Sequence, residues 1–235
     1  MANKQLTFGG VVVPAIIAKP PQNIRPAQKR TVIAIPGSNR ESIKEEDAWE
    51  NYDQPYTLFV GDGSEDSIQD ALKAVASVLY KKDYQVLLDD YEPGIFKLAY
   101  FKGPFDVENR FTRAGKFDIT FRCRAERFLV SGSTPVSVNS GDVLTNPTDR
   151  NASPLIHIEG SGNGTVTVGG VVMEFEGLTD YLNIDCDRMD CYRLPSENMN
   201  DLMTGPFPKL APGNNTVVFD GGIQSVTITP RYFVI

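Results

Sequence analysis

The chain has 235 residues, of which 41% are hydrophobic and 23% charged; these are ordinary globular values that exclude a disordered or collagen-like chain. A formal charge of -7 argues against a surface dedicated to the nucleic-acid backbone, and the single histidine, His157, removes most zinc geometries and His-dependent triads. No stretch approaches the roughly 18 apolar residues of a bilayer span, and the start "MANKQLTFGG" lacks the plan of a secretion signal, so folding in a cytoplasm is expected.

After "LTFGGVVVP", the prolines Pro20, Pro21 and Pro26 forbid helix and favour an extended edge. Two strand-like runs, Thr31 to Ile35 and Tyr56 to Val60, bracket a long polar insert that reads as an extended hairpin or a protruding loop. The aromatic residues Trp49, Tyr52 and Tyr56 flank it. Either they fold back on their own domain, or the insert is an interlocking element between subunits, since aromatic anchors are enriched in interface cores. Arg40, Ile43, Trp49 and Tyr52 are the candidate subunit-interface residues.

The stretch "GSEDSIQDALKAVASVLYKK" predicts the one helix. Ser64 is placed to cap it, Glu65 and Asp66 suit its first turn, and Lys81 and Lys82 its last. Ile68, Ala71, Leu72, Val75, Val78 and Leu79 form one apolar stripe for packing on a sheet. From Ile95 the period changes to two. In "GKFDITFRCRAERFLV", Phe117, Ile119, Phe121 and Cys123 share one face, with Cys123 a small core residue. The Ser/Gly/Pro-rich "SGSTPVSVNSGD" places a domain boundary near residue 131, giving domains 1–130 and 131–235.

The second half reads as a sandwich of short antiparallel strands. A two-residue turn at Gly169 and Gly170 pairs Val168 with Val171, Thr167 with Val172 and Val166 with Met173. "YLNIDCDRMDCYRL" is a second hairpin, turning at Asp187 to Met189. His157 sits on the polar face of an alternating run. The glycine-rich "GDGS" and "GSGNG" lack the ending of a phosphate-binding loop and are read as turns. In "GPFPKLAPGNNTVVFDGG", Pro206, Pro208 and Pro212 stiffen an approach, Gly213 and Asn214 make a tight turn, and Thr216 to Asp220 forms a strand. Gly37 is the remaining structural turn residue.

No catalytic, cofactor or metal site is expected. Asp180, Asp185, Asp187 and Asp190 lack EF-hand spacing. Cys186 and Cys191 lack a second pair, and with Cys123 they are expected to be reduced thiols. No nucleophile has an identifiable base, and no carboxylate pair is flagged for glycoside hydrolysis. The Asn-x-Ser/Thr motifs at Asn151 and Asn214 carry no glycan without a secretory route.

The order "LTFGG", "PGSNRES", "YTLFV", the helix, "DYEPGIFKLAYFKG", "GKFDITFRCRAERF" and finally "FPKLAPGNNTVVFDGGIQSVTITPR" resembles the distal tail protein family of long-tailed phages across nearly the whole chain. The resemblance implies a mainly β fold: an N-terminal tail-tube-like β-sandwich with one helix and a long hairpin, then a galectin-like β-sandwich. It further implies a non-enzymatic virion protein that forms a hexameric ring at the end of the tail. Its partners would be the tail tube protein, the tail-tip hub or tail-associated lysin protein and a receptor-binding protein, with DNA passing through the ring unread. A carbohydrate-binding module is the alternative, since the galectin-like plan also serves sugar binding; such a site wants an exposed aromatic platform flanked by Asn, Arg or His.

Overall fold

The computed structural model describes residues 3–61, 68–105, 107–111 and 114–235. The chain divides into two compact units, Met1–Arg127 joined by Ile235, and Phe128–Val234. The expected mainly β plan, with one α-helix among the described residues, is what the structure has.

The first unit contains β1 (Gln5–Phe8), β2 (Val11–Ile17), β3 (Gln28–Ala34), β4 (Glu41–Trp49), β5 (Tyr52–Val60), α1 (Ile68–Leu79), β6 (Gln85–Asp89), β7 (Ile95–Phe101), β8 (Val107–Phe111) and the start of β9 (Ala114–Leu129). Strands β9, β5, β2, β1, β6 and β7 pair in that order, and β7 also pairs with β9. The sheet therefore closes on itself as a barrel, which removes the bare edges of an open sheet. Strands β3 and β4 form a separate two-stranded sheet, the extended hairpin among the two sequence readings.

Period-two alternation fills the barrel. Leu6 and Phe8, Val13, Ala15 and Ile17, Tyr56 and Leu58, and Phe117, Ile119, Phe121 and Cys123 are all buried in one core. Helix α1 adds Ala71, Val75, Val78 and Leu79 to that core from one apolar stripe. The expected cap and acidic first turn, Ser64 to Asp66, lie outside the described residues. The basic last turn needs correction: the helix ends at Leu79, so Lys81 and Lys82 fall beyond it. The chain leaves the helix there to turn through Asp83, whose φ is 60°, into β6.

The second unit contains β10 (Val136–Val138), β11 (Val143–Asn146), β12 (Leu155–Val168), β13 (Val171–Leu178), β14 (Tyr181–Asp185), β15 (Asp190–Tyr192), β16 (Met203–Thr204), β17 (Gly213–Thr229) and β18 (Phe233–Val234). The β12–β13 register is the one the Gly169–Gly170 turn dictates, Val168 with Val171 and Val166 with Met173. Likewise β14 and β15 close with Asp185 opposite Asp190.

The reading of "GSGNG" as a turn is corrected. Residues 160–164 lie inside β12, facing Gly221 and Gly222 inside the equally long β17. Before this point β12 pairs with β14, and after it with β13. The two long strands thus bend from one half of a sandwich into the other, around one shared core that includes Ile156, Ile158, Val166, Val168 and Met173. Glycine is required because the backbones nearly touch. A Cβ on Gly222 would lie 1.9 Å from the carbonyl oxygen of Ser161, and one on Gly160 would lie 2.2 Å from that of Gly222. The tight turn expected at Gly213 and Asn214 is also corrected: both begin β17, with Asn214 opposite Thr145, and Gly213 has φ +84°.

A polar clasp holds the final segment. Arg231 Nη1 and Nη2 donate to the two carboxylate oxygens of Asp185 at 2.7 and 3.1 Å, and the Leu129 N–H donates to Tyr232 O at 2.8 Å.

Candidate interaction site

The hairpin is built by its turn and its cross-strand pairs. Pro36 and Gly37 occupy the centre of a tip closed by Ser38 N–H donating to Ile35 O at 3.1 Å. Proline pre-sets the first central residue and glycine accepts the positive φ of the second, here 76°, the signature of a type II turn. Arg40 N–H then donates to Ser38 Oγ at 3.0 Å. Below the tip, Val32 faces Ile43 and Arg30 faces Glu45, and the latter two form an ion pair at 3.3 Å.

What distinguishes this hairpin is what it leaves uncovered. Val32, Ile33, Ile35 and Ile43 are all exposed, Ile43 by 57%. Consecutive strand residues point to opposite faces, so Val32 with Ile43 and Ile33 with Ile35 put apolar surface on both sides. An isolated two-stranded hairpin is marginal in water; an apolar one projecting on both sides is built to be covered.

Two candidate interface residues, Arg40 at the tip and Ile43 on β4, lie on this exposed element. Trp49 stands at the hairpin's base opposite Gln28, half-buried, and not near its end. Tyr52 is corrected: it is only 6% exposed within the barrel core, because β5 directs Tyr52, Tyr56 and Leu58 to the same inner face.

Sequence reasoning missed a buried charged cluster in the first unit. Lys97 Nζ lies 3.1 Å from Asp89 Oδ2 and 3.1 Å from Glu92 Oε2, Tyr56 OH donates to Asp89 Oδ2 at 2.7 Å, and Arg127 pairs with Glu92. Burial, then the neighbouring Asp89 charge, pushes the Tyr56 hydroxyl well above the usual tyrosine range. A polar pocket of about 220 Å³ adjoins it, lined in part by Gln22, Asn23, Gln54 and Tyr91. Two cations face two carboxylates there, so the pocket presents no surplus charge to a ligand. The signal was Lys97 itself, at an inward position in "IFKLAYF".

On the outer face of the second unit, His157 Nδ1 and Asn183 Oδ1 are 2.8 Å apart. The His157 ring centroid lies 5.5 Å from that of Tyr181, and the Arg193 guanidinium lies 5.9 Å from the same ring. Tyr181 is thus flanked by the residue types a sugar site uses, but its ring is already engaged by them. The four acidic residues are separated in role. Asp185 holds Arg231, Asp190 accepts from Asn198 Nδ2 at 2.8 Å, and Asp180 and Asp187 are exposed. Among the described residues no three His, Cys, Asp or Glu side chains converge as a metal site. Cys123, Cys186 and Cys191 are free and buried, and burial pushes each thiol up to about 12.

With the barrel, hairpin and sandwich in view, the comparisons define a class of protein. Residues 55–123 match the family model described as a phage tail protein RIFT-related domain, a span that runs from within β5 through the helix, β6, β7 and β8 into β9. The fold of the chain is also that of solved phage tail structures. The whole chain superposes on the whole of the Dit protein of phage SPP1, described as a paradigm of the hub adsorption apparatus in phages infecting Gram-positive hosts, with TM-score 0.74 at 10% identity. It also matches chains of the phage p2 baseplate in its activated conformation, with Sr at TM-score 0.55 and with Ca at 0.53, each 11% identical over 97% of both chains. No curated protein matches by sequence. The resemblance to distal tail proteins read from the sequence is therefore borne out by the tail-family match and by the fold.

Proposed function

We propose that this chain is a distal tail protein of a long-tailed phage, a structural virion component at the end of the tail. Six copies form a ring that continues the bore of the tail tube and joins it to the tail tip or baseplate. The tail tube protein binds one side of the ring and the tail-tip hub or tail-associated lysin protein the other. A receptor-binding protein is held at the periphery, and the chain catalyses no reaction.

The observation that carries this reading is the similarity of the full chain to a full-length hub protein, barrel and sandwich together. The hairpin supports it independently, since its two-sided apolar surface suits burial between copies. The engaged Tyr181 ring counts against the carbohydrate-binding alternative. Negative-stain imaging of the purified protein tests the proposal: rings with six-fold symmetry and a central hole are expected, and separate, ring-free particles at every concentration contradict it.

A further inference from the structure

Lys97 stands on the inward face of the barrel wall, directly opposite Leu87 of β6, with only 7% of its side chain exposed. Its Nζ ends between two carboxylates, Asp89 Oδ2 at 3.1 Å and Glu92 Oε2 at 3.1 Å. Asp89 is the more deeply buried of the two, 2% exposed at its side chain. Both its oxygens accept a further hydrogen bond, Oδ1 from the Tyr91 N–H at 3.0 Å and Oδ2 from the Tyr56 hydroxyl at 2.7 Å. The other oxygen of Glu92, Oε1, pairs with Arg127, which keeps Oε2 turned to Lys97.

A buried amine, a buried carboxyl held by two donors and a second carboxylate touching the amine make more than an ion pair. We propose that Lys97 and Asp89 join in an isopeptide bond, a self-modification of the folded chain in which Glu92 carries the proton. It makes one bond per chain and turns over no substrate, and it stands independently of the ring reading.

In water the hydration of both charges opposes condensation of an ammonium with a carboxylate; burial strips that hydration and brings the neutral amine and acid within reach. Glu92 Oε2, at the distance a general base requires, takes one proton from Lys97 Nζ. The freed lone pair attacks Asp89 Cγ and the C–N bond forms, the packed barrel having already fixed the reacting groups side by side. Charge that develops on the two oxygens is met by the Tyr91 N–H and the Tyr56 hydroxyl. Glu92 passes its proton to Oδ2, a second nitrogen proton follows by the same route, and the Cγ–Oδ2 bond breaks. Of the three ammonium hydrogens, one stays on the amide nitrogen and two leave with Oδ2 as water, so nothing is oxidised or reduced. The adjoining polar pocket, which Asp89, Glu92, Lys97 and Arg127 all line, receives that water. The product ties β6 to β7 between positions eight residues apart.

Denaturing mass spectrometry of the full-length wild type tests this. Most chains are expected to be one water lighter than the 25.9 kDa sequence mass. Trypsin does not cut after an acylated lysine, so residues 83–102 are expected as one peptide, uncut after Lys97, with fragmentation placing the lost water on the Asp89–Lys97 link. Lys97→Met is expected to keep its full mass, and Glu92→Gln, which retains both joined residues, to do the same once circular dichroism shows it folded. A folded wild type of full mass that trypsin cuts after Lys97 overturns the proposal, as does a lost water that maps elsewhere or persists in Lys97→Met. A folded Glu92→Gln that loses water as fully as the wild type overturns the role given to Glu92.

Discussion

Gly222 and Gly213 lie in the same strand and are required for different reasons. At Gly222 a Cβ would overlap the carbonyl oxygen of Ser161, whereas at Gly213 it would meet nothing within 4 Å and the constraint is only the φ of +84°. Left-handed backbone costs a branched residue about 1–2 kcal/mol, so Gly213→Val is expected to lower the melting temperature by several degrees and leave the second unit folded. Gly222→Ala must push two strands apart, and thermal melting is expected to show loss of the cooperative transition of that unit. Equal shifts for the two would contradict the strand-crossing described above. Burial alone would raise the Asp185 carboxyl. Arg231 and the N–H groups of Arg188 and Asp187 outweigh it and hold the group below its ordinary value of 3.8. A depressed folded-state value gives stability that is full above the unfolded value and lost as pH falls through the folded one. Asp185→Asn is therefore expected to destabilise by on the order of 2 kcal/mol at pH 7, discounted for the part-exposed Arg231, with the difference shrinking below about pH 4; denaturant titrations at both pH values measure it. The three thiols, buried and raised to about 12, should react with a thiol reagent at pH 8 only after unfolding.

At the scale of elements, legibility in the sequence followed how local the determining physics was. The Gly169–Gly170 hairpin was readable because a two-residue turn fixes register on its own. The apolar stripe of α1 and the inward set of β9 were readable from periodicity. The "GSGNG" segment was not, because it looks like a turn until a second glycine pair, Gly221 and Gly222, is brought against it from some sixty residues away in the chain, and nothing local encodes that meeting. Lys97 carried a signal as a charge at an inward position, with Asp89 and Glu92 in the same β6–β7 hairpin; what no local pattern encodes is that Tyr56 and Arg127 are brought to those carboxylates when the barrel closes. Of the candidate site, the hairpin and the positions of Arg40 and Ile43 were legible; the inward turn of Tyr52 depended on the phase of β5. The hairpin also supplies the clearest element-level prediction. Replacing residues 31–46 with a short Gly-Ser link should leave the barrel's circular dichroism and melting nearly unchanged, because β3 and β4 pair only with each other. The same replacement should abolish self-association by gel filtration.

For the whole molecule, a barrel closed by the pairing of β7 with β9 and a sandwich with its own core make two independently organised bodies. Under the proposed ring, the β3–β4 hairpin, which pairs with no other described strand, is the element left to make contact between copies. The reading as a tail hub, drawn from the fold of the full chain, requires that contact to close. Multi-angle light scattering of the wild-type protein over a range of concentrations measures this directly. The account predicts a discrete species of six times the 25.9 kDa chain mass, and a folded protein that stays monomeric throughout that range would contradict it.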